Sequence, residues 1–383
     1  MMHYHDRTRA AALLFALSFV SPPAAAGPAA RGAGDDGAAK TTEETVFTQW
    51  TTYTTADGLA SDKVFCVLAD EDELWAGTDR GLARLRDGKW KVFSKDDGLS
   101  FPVVSCLALS EQTGDLWIGT FGGLSRFSGG RFDTFNQLDS GLVNDVIYGL
   151  TVVGDHVWVA TSAGLSRFDV KADSWQLFSH ENTVMHEPWC YGLTQAPGLL
   201  YVAVWGGGVV EHDLARESWK EYRDPDQEME IDLLRDDGLI HDVTSSVSWA
   251  DGFLWVGTYF GMSRYDGKSW RSYLDHDTGL PSNFVNVVRA QGRAVWVGTD
   301  DGLGHFDGAR WTVYRRDQDG PGGTIRIAEE DGTERVLASA NAIAHNFVLG
   351  LESRTDRVWV ATAAGLSVGS RGAAPAAAAG GGR

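Results

Sequence analysis

One twelve-residue phrase recurs along the chain and limits what the chain can fold into. It reads LWIGTFGGLSRF from Leu116. It returns as LWAGTDRGLARL from Leu74, VWVATSAGLSRF from Val157, LWVGTYFGMSRY from Leu254, VWVGTDDGLGHF from Val295 and VWVATAAGLSVG from Val358. A worn copy, LYVAVWGGGVVE, begins at Leu200. The aromatic at the second position is Trp75, Trp117, Trp158, Tyr201, Trp255, Trp296 and Trp359, at successive gaps of 42, 41, 43, 54, 41 and 63 residues. A self-similar period near 40 to 45 residues belongs to propellers and solenoid arrays.

Each repeat spells four short strands, A to D, divided by Gly-, Asp- and Ser-containing turns. In the second repeat A covers 103–109, B 116–119, C 124–127 and D 131–135. The last strand carries an aromatic pair, Trp90/Phe93, Phe132/Phe135, Trp175/Phe178, Trp219/Tyr222, Trp270/Tyr273 and Trp311/Tyr314. Residues three apart on a strand face opposite ways, so each outer strand can pack against both neighbouring units. The final unit stops after strand C near Val368, while a D-like strand, QWTTY at 49–53, stands alone at the front. Joining the two closes a ring and removes the exposed edge of an open array. The expected fold is all-β: one seven-bladed β-propeller of four-stranded antiparallel blades over 45–370, closed by the N-terminal strand. An open β-solenoid is the alternative.

DGLASDKV from Asp57, TGLPSNFV from Thr278 and the LW-x-GT-x-x-GL-x-R-F units resemble the two-component regulator propeller repeat over residues 46–368. The resemblance implies a periplasmic sensing propeller like those of hybrid histidine kinases, many of which respond to oligosaccharides. The motifs specify the blade and hardly constrain the ligand. No transmembrane helix, kinase or DNA-binding domain is readable after the propeller. The expectation is therefore a stand-alone exported propeller acting with a separate signalling partner, such as a membrane sensor kinase.

The ends support export. Residues 1–26 read as a signal peptide: a basic start with Arg7 and Arg9, an apolar run from Ala11 to Val20, and Ala24-Ala25-Ala26 before Gly27. The run is short for a membrane span. Residues 27–44 read as a flexible leader and 371–383 as a disordered Ala/Gly-rich tail. The expected location is periplasmic or secreted. A net charge of −19 repels phosphate backbones, which argues against nucleic acid as a partner. Cys66, Cys106 and Cys190 lie in apolar runs and read as buried free thiols.

With this strand order the D-to-A and B-to-C connections open on one face, and propeller function resides on such loops. Aligned on the Gly of DGL, the D-to-A loops give two rings. One is Ser61, Phe101, Asn144, Glu187, His241, Ser282 and His345. The next is Asp62, Pro102, Asp145, Pro188, Asp242, Asn283 and Asn346. Their oxygens suit ligand hydroxyls or a hard cation, and equally suit capping of nearby backbone N–H groups. The B-to-C turns add Phe121, Trp205, Tyr259 and Phe260, with Trp189 close by. Aromatics beside polar rings fit a flat or sugar-like ligand. The expected ligand contacts are Asp62, Asn144, Asp145, Glu187, Trp205, His241, Asp242, Tyr259, Asn283, His345 and Asn346.

Two insertions interrupt the period. Residues 223–237 are acidic and read as a partial lid, and 315–341 read as a long loop before the last strand A. Ca²⁺ is a minor possibility in the acidic stretch, which lacks EF-hand spacing, and no cofactor is expected. H-E-x-x-H, G-x-S-x-G and Walker patterns are absent. The leading expectation is a sensor-type protein binding a small molecule or oligosaccharide at the mouth. Alternatives are a lyase resembling the streptogramin lyases, with His241 or His345 as base, and a protein-interaction scaffold.

Overall fold

The computed structural model describes residues 46–226, 236–329 and 331–371. The stretches expected to be a signal peptide and a leader, the tail beyond 371 and the centre of the acidic insertion lie outside the described residues. Among those described, thirty strands form seven antiparallel sheets set around a central tunnel. Blade two shows the pattern: A is Val104–Leu109, B Leu116–Thr120, C Gly123–Ser128 and D Arg131–Phe135. The strands pair in sequence order from the tunnel outward. Blade seven takes A, B and C from Val348–Arg354, Arg357–Thr362 and Gly365–Arg371, and its D strand is Phe47–Tyr53. Trp50 pairs with Gly369 and Tyr53 with Leu366, so the N-terminal strand closes the ring as expected.

The recurring phrase has a physical reading at each position. The Trp of strand B is buried at Trp75, Trp117, Trp158, Trp255, Trp296 and Trp359, and Tyr201 takes its place in blade four. Trp117 packs with Leu142, Ile147 and Phe168 of blade three, so the indole joins two blades. The guanidinium of Arg126 lies 5.6 Å from the Trp117 ring and pairs with Asp115 at 2.6 Å. The Gly of strand B permits close approach. A Cβ on Gly119 would stand 2.3 Å from Cys106 Sγ and 2.7 Å from Ile147 Cγ2 of the next blade. The Thr after it ties the B-to-C turn. Thr78, Thr120, Thr161, Thr258, Thr299 and Thr362 each donate Oγ to the carbonyl of the Gly three residues on. The Gly of the DGL loop lies against the next outer strand, and a Cβ on Gly141 would meet Trp175 Cβ at 2.3 Å.

The outer aromatics pack both ways. Trp90 meets Tyr53 of blade seven at 5.5 Å, while Phe93 packs on Phe127 and Phe132 of blade two. Cys66, Cys106 and Cys190 are free, and burial pushes all three thiols up from their ordinary pKa.

Blade six departs from the four-stranded expectation. The stretch 315–341 is not a long loop. It holds a hairpin, Gly323–Ala328 and Glu334–Ser339, that extends the sheet to six strands beyond Trp311–Arg316. The cause is alternation: Ile325 and Ile327 face inward and are buried, alternating with the more exposed Thr324 and Arg326. Their apolar face covers Val46 and Phe47, where the chain enters its closing strand.

Candidate functional site

Backbone hydrogen bonds bring the two sets of turns together on one face. Gly123 N donates to Asp145 O, Gly208 N to Asp242 O, Gly261 N to Asn283 O and Gly302 N to Asn346 O, at 2.8 to 3.0 Å. These four B-to-C turns are thus clamped to the D-to-A loops that enter the next blades. Together they form a mouth over the tunnel.

The second loop ring acts locally. Asp62 Oδ1 accepts from Thr55 N at 2.6 Å, Asp145 Oδ1 from Gln137 N at 2.7 Å and Asp242 Oδ1 from Asp224 N at 2.8 Å. Asn283 Oδ1 accepts from Asp275 N, and Asn346 Oδ1 from Arg316 N. Every one reaches back to an amide at or just past the end of a preceding strand D. Asp242 also receives the Arg223 guanidinium at 2.6 Å. These caps commit one oxygen of each side chain to holding the loops in place.

In the first ring, Asn144 Oδ1 accepts from Val146 N and from Ser162 Oγ. The stem of Glu187 runs beside the Gly206–Gly207 turn. His241 is buried and stacks on Phe260 at 4.0 Å, whereas His345 is exposed. Both rings accept a backbone N–H at Nδ1, from Val243 and from Phe347, each at 2.9 Å. Burial lowers the pKa of His241, and partial desolvation of the ring together with the Arg316 charge lowers that of His345, so both shifts favour the neutral imidazole. A neutral ring whose Nδ1 lone pair is taken carries its proton on Nε2. Each histidine therefore offers an N–H donor.

The tunnel wall owes its character to a repeated irregularity. Every strand A carries a β-bulge at its second residue: Phe65, Ser105, Tyr148, Tyr191, Ser245, Asn286 and Leu349. All seven line one cavity of about 250 Å³ on the tunnel axis. Bulges re-aim side chains, here toward the axis rather than into the inter-blade core. Ser105 and Ser245 turn back to bond carbonyls of adjacent strands. Tyr148 and Tyr191 lie face to face at 4.4 Å and 5°.

From this pair the aromatics run on as an arc. Phe121 meets Tyr148 at 5.7 Å, Tyr191 stacks on Trp205 at 5.0 Å, and Trp205 meets Tyr259 edge-on at 4.5 Å. Tyr259 covers Phe284 at 3.6 Å. Trp205 is 6% exposed, with one face taken by Tyr191, so it supports the arc from behind. Tyr148, Tyr191, Phe284 and Asn286 escaped the sequence reading. For Tyr148, Tyr191 and Asn286 the available signal was a polar or bulky residue repeatedly second in an otherwise apolar strand; Phe284, just before its strand, carried no such signal.

Beside the mouth, Asp224 is buried among Asp226 and Asp242. Burial and these neighbouring carboxyls push its pKa up to about 7. The partial lid expected over 223–237 has its centre outside the described residues. No cluster of three or more His, Cys, Asp or Glu able to hold a metal ion occurs among the described residues, and no helix among them is long and apolar enough to cross a membrane.

No protein-family model matches the chain, and no curated protein matches it in sequence. Solved structures do match in shape. One is an extracellular domain assigned to a hybrid two-component system of B. thetaiotaomicron, with TM-score 0.63 and 14% identity, covering 86% of this chain and 42% of that domain. A second domain of that kind from the same organism gives TM-score 0.63 at 15% identity, over 84% of this chain and 40% of its own length. Virginiamycin B lyase from Staphylococcus aureus gives TM-score 0.59 at 12% identity, over 84% of this chain and 98% of the enzyme. The chain thus spans about two fifths of the two extracellular domains. At these identities the likeness establishes the fold, and the resemblance read from the repeats is met at that level.

Proposed function

We propose that this propeller is an exported, sensor-type binding protein that takes a small molecule or oligosaccharide at its central mouth and passes the signal to a separate partner. The observation that carries the reading is the aromatic arc from Phe121 to Phe284, lining one side of a tunnel mouth. Concave sites with a few convergent polar groups are where small ligands bind. Of the large apolar side chains left exposed, Phe101, Phe121 and Phe260 lie on this same face. Around the rim Asn144, Glu187, His241 and His345 provide polar contacts, with Asp62, Asp145, Asp242, Asn283 and Asn346 holding the loops. The extracellular setting of the two sensor domains supports export.

Binding fits the histidines better than catalysis. A general base needs a free nitrogen lone pair. In His241 and His345 the Nδ1 lone pair already accepts a backbone N–H, which leaves Nε2 protonated in the neutral ring. The lyase alternative would need a different base.

A thermal-shift screen of oligosaccharides, peptides and amines tests the proposal, because a ligand specific to the folded form raises its melting temperature. Any hit is then titrated against Tyr191→Ala and Tyr148→Ala, with Leu177→Ala on an outer strand as control. Each mouth variant should weaken binding by about 1 to 3 kcal/mol. Equal affinity in all three variants would remove the mouth from consideration.

A further inference from the structure

The mouth has two chemically distinct sides. Aromatic rings fill the sector from blade two to the start of blade six. Across the axis, blades six, seven and one place Asp300, Ala363 and Asp79 at equivalent positions of their B-to-C turns. Matching backbone bonds fix them there: Asp300 N to Phe284 O, Ala363 N to Phe347 O and Asp79 N to Lys63 O. Ala363, which lies between them in blade order, contributes only a methyl group at this position.

Three acceptors in this sector are unsatisfied. Asp79 Oδ1, Asp300 Oδ1 and the tunnel-lining Asn286 Oδ1 are buried without a hydrogen-bond partner. Buried acceptors without donors are costly and mark places where a donor belongs. No Lys or Arg of the described residues forms an ion pair with either carboxylate; Arg315 pairs with the adjacent Asp301 instead. Asp300 is close enough to Tyr259 for its charge to contribute, after burial, to raising the phenol pKa. Carboxylate and aromatic arc therefore adjoin at this point. The same rim already seats one cation on a ring, with Lys63 Nζ 5.2 Å from the Phe65 centroid.

A neutral sugar would supply donors but no charge to offset two carboxylates. An anion would be repelled by them and by the chain's net charge of −19. A flat body bearing a cation matches both sides at once: it lies along the rings, which attract cations through their faces, and its charge sits beside the two carboxylates. We propose that the mouth is selective for a small organic cation, an amine or guanidine on a flat apolar body, with its charged end at Asp300 and Asp79 and its body against Tyr148, Tyr191 and Tyr259. This rests on the mouth being the binding site.

Calorimetric titration of the full chain with phenethylamine, its neutral counterpart 2-phenylethanol and the disaccharide cellobiose tests the assignment. The amine should bind at least tenfold tighter than the alcohol, and Asp79→Asn/Asp300→Asn should bring the two within about threefold. A melting curve for the double variant, matched to wild type, shows that its loss is not unfolding. Equal binding of amine and alcohol, no heat from the amine at millimolar concentration, or an amine preference that survives the double variant would each overturn it. Tyr191→Ala separates the two claims. If cellobiose binds best and Tyr191→Ala abolishes that binding, the mouth stands and the cation falls. If Tyr191→Ala leaves every probe unaffected, the mouth itself is wrong.

Discussion

Thr244 donates its hydroxyl to the Gly208 carbonyl at 2.8 Å, and to Val204 O at 3.0 Å, across the boundary between blades four and five. In the other six blades the B-to-C turn is tied by a Thr within its own strand B, and blade four has Val204 there instead. The missing hydroxyl is supplied by the first residue of the next blade, where other blades carry Val, Ile or Cys. The worn repeat is thus a paired exchange. Thr244→Val should deprive the Gly208 carbonyl of this donor, while Val204 O keeps the Gly207 N–H at 2.9 Å, and cost about 1 to 3 kcal/mol in urea melts. Adding Val204→Thr to that variant should restore most of the loss; no recovery would separate the two positions.

Ring closure depends on the extra hairpin of blade six. Phe47 N donates to Tyr314 Oη at 3.2 Å, and Ile325 and Ile327 pack over Val46 and Phe47. Ile325→Ala should cost about 2 to 5 kcal/mol. Hydrogen exchange should quicken first at the amides of Phe47–Tyr53. Faster exchange confined to blade two would contradict the coupling.

A chain beginning after Tyr53 should lose the partner of Gly365–Arg371 and expose that strand as an edge. Aggregation, or loss of a single cooperative melt, is the expected result. A melting curve matching the full chain would refute the structural role of the N-terminal strand.

Trp117 is 1% exposed and joins blades two and three. Trp117→Ala should cost about 3 to 5 kcal/mol through the cavity it leaves. Phe121→Ala, at an exposed position of the same blade, should stay within about 0.5 kcal/mol. Equal melting midpoints for the two variants would show that the indole ladder does not carry the core.

Asp224 gives the fold a pH dependence of definite sign. Its folded pKa, about 7, stands above the ordinary carboxylate value, so the folded chain holds this proton after the unfolded chain has released it. Its contribution to stability is present below the unfolded pKa. It declines as pH rises toward 7 and is lost above that. Asp224→Asn should flatten the fall in melting temperature between pH 4.5 and 7.5. An unchanged slope would assign the dependence to other groups.

The blade was readable because each position of the repeated phrase answers one packing need: Trp117 between blades, Gly119 for approach, Thr120 for the turn. The hairpin at 323–339 was missed because a long interval between period markers resembles a loop until the alternation of Ile325 and Ile327 is weighed. At the mouth, Trp205 and Tyr259 could be located by aligning turns. That Tyr191 covers one and Phe284 the other could not, since both neighbours are in view only once their strand registers are known. Tyr148 and Tyr191 face the tunnel because of the bulge, and no residue type announces a bulge in a strand otherwise rich in apolar side chains.

Closing a ring with its own beginning also sets a timetable. Thr52 and Ser367 face each other with hydroxyls 3.4 Å apart and 315 positions between them in the chain. At about 5 to 20 residues per second, their meeting waits some tens of seconds of synthesis. Until then the first strand has no partner and the later blades accumulate without a closed tunnel. Contacts this remote in sequence form late in folding. The mouth, which needs all seven blades in place, is therefore among the last parts of the molecule to exist.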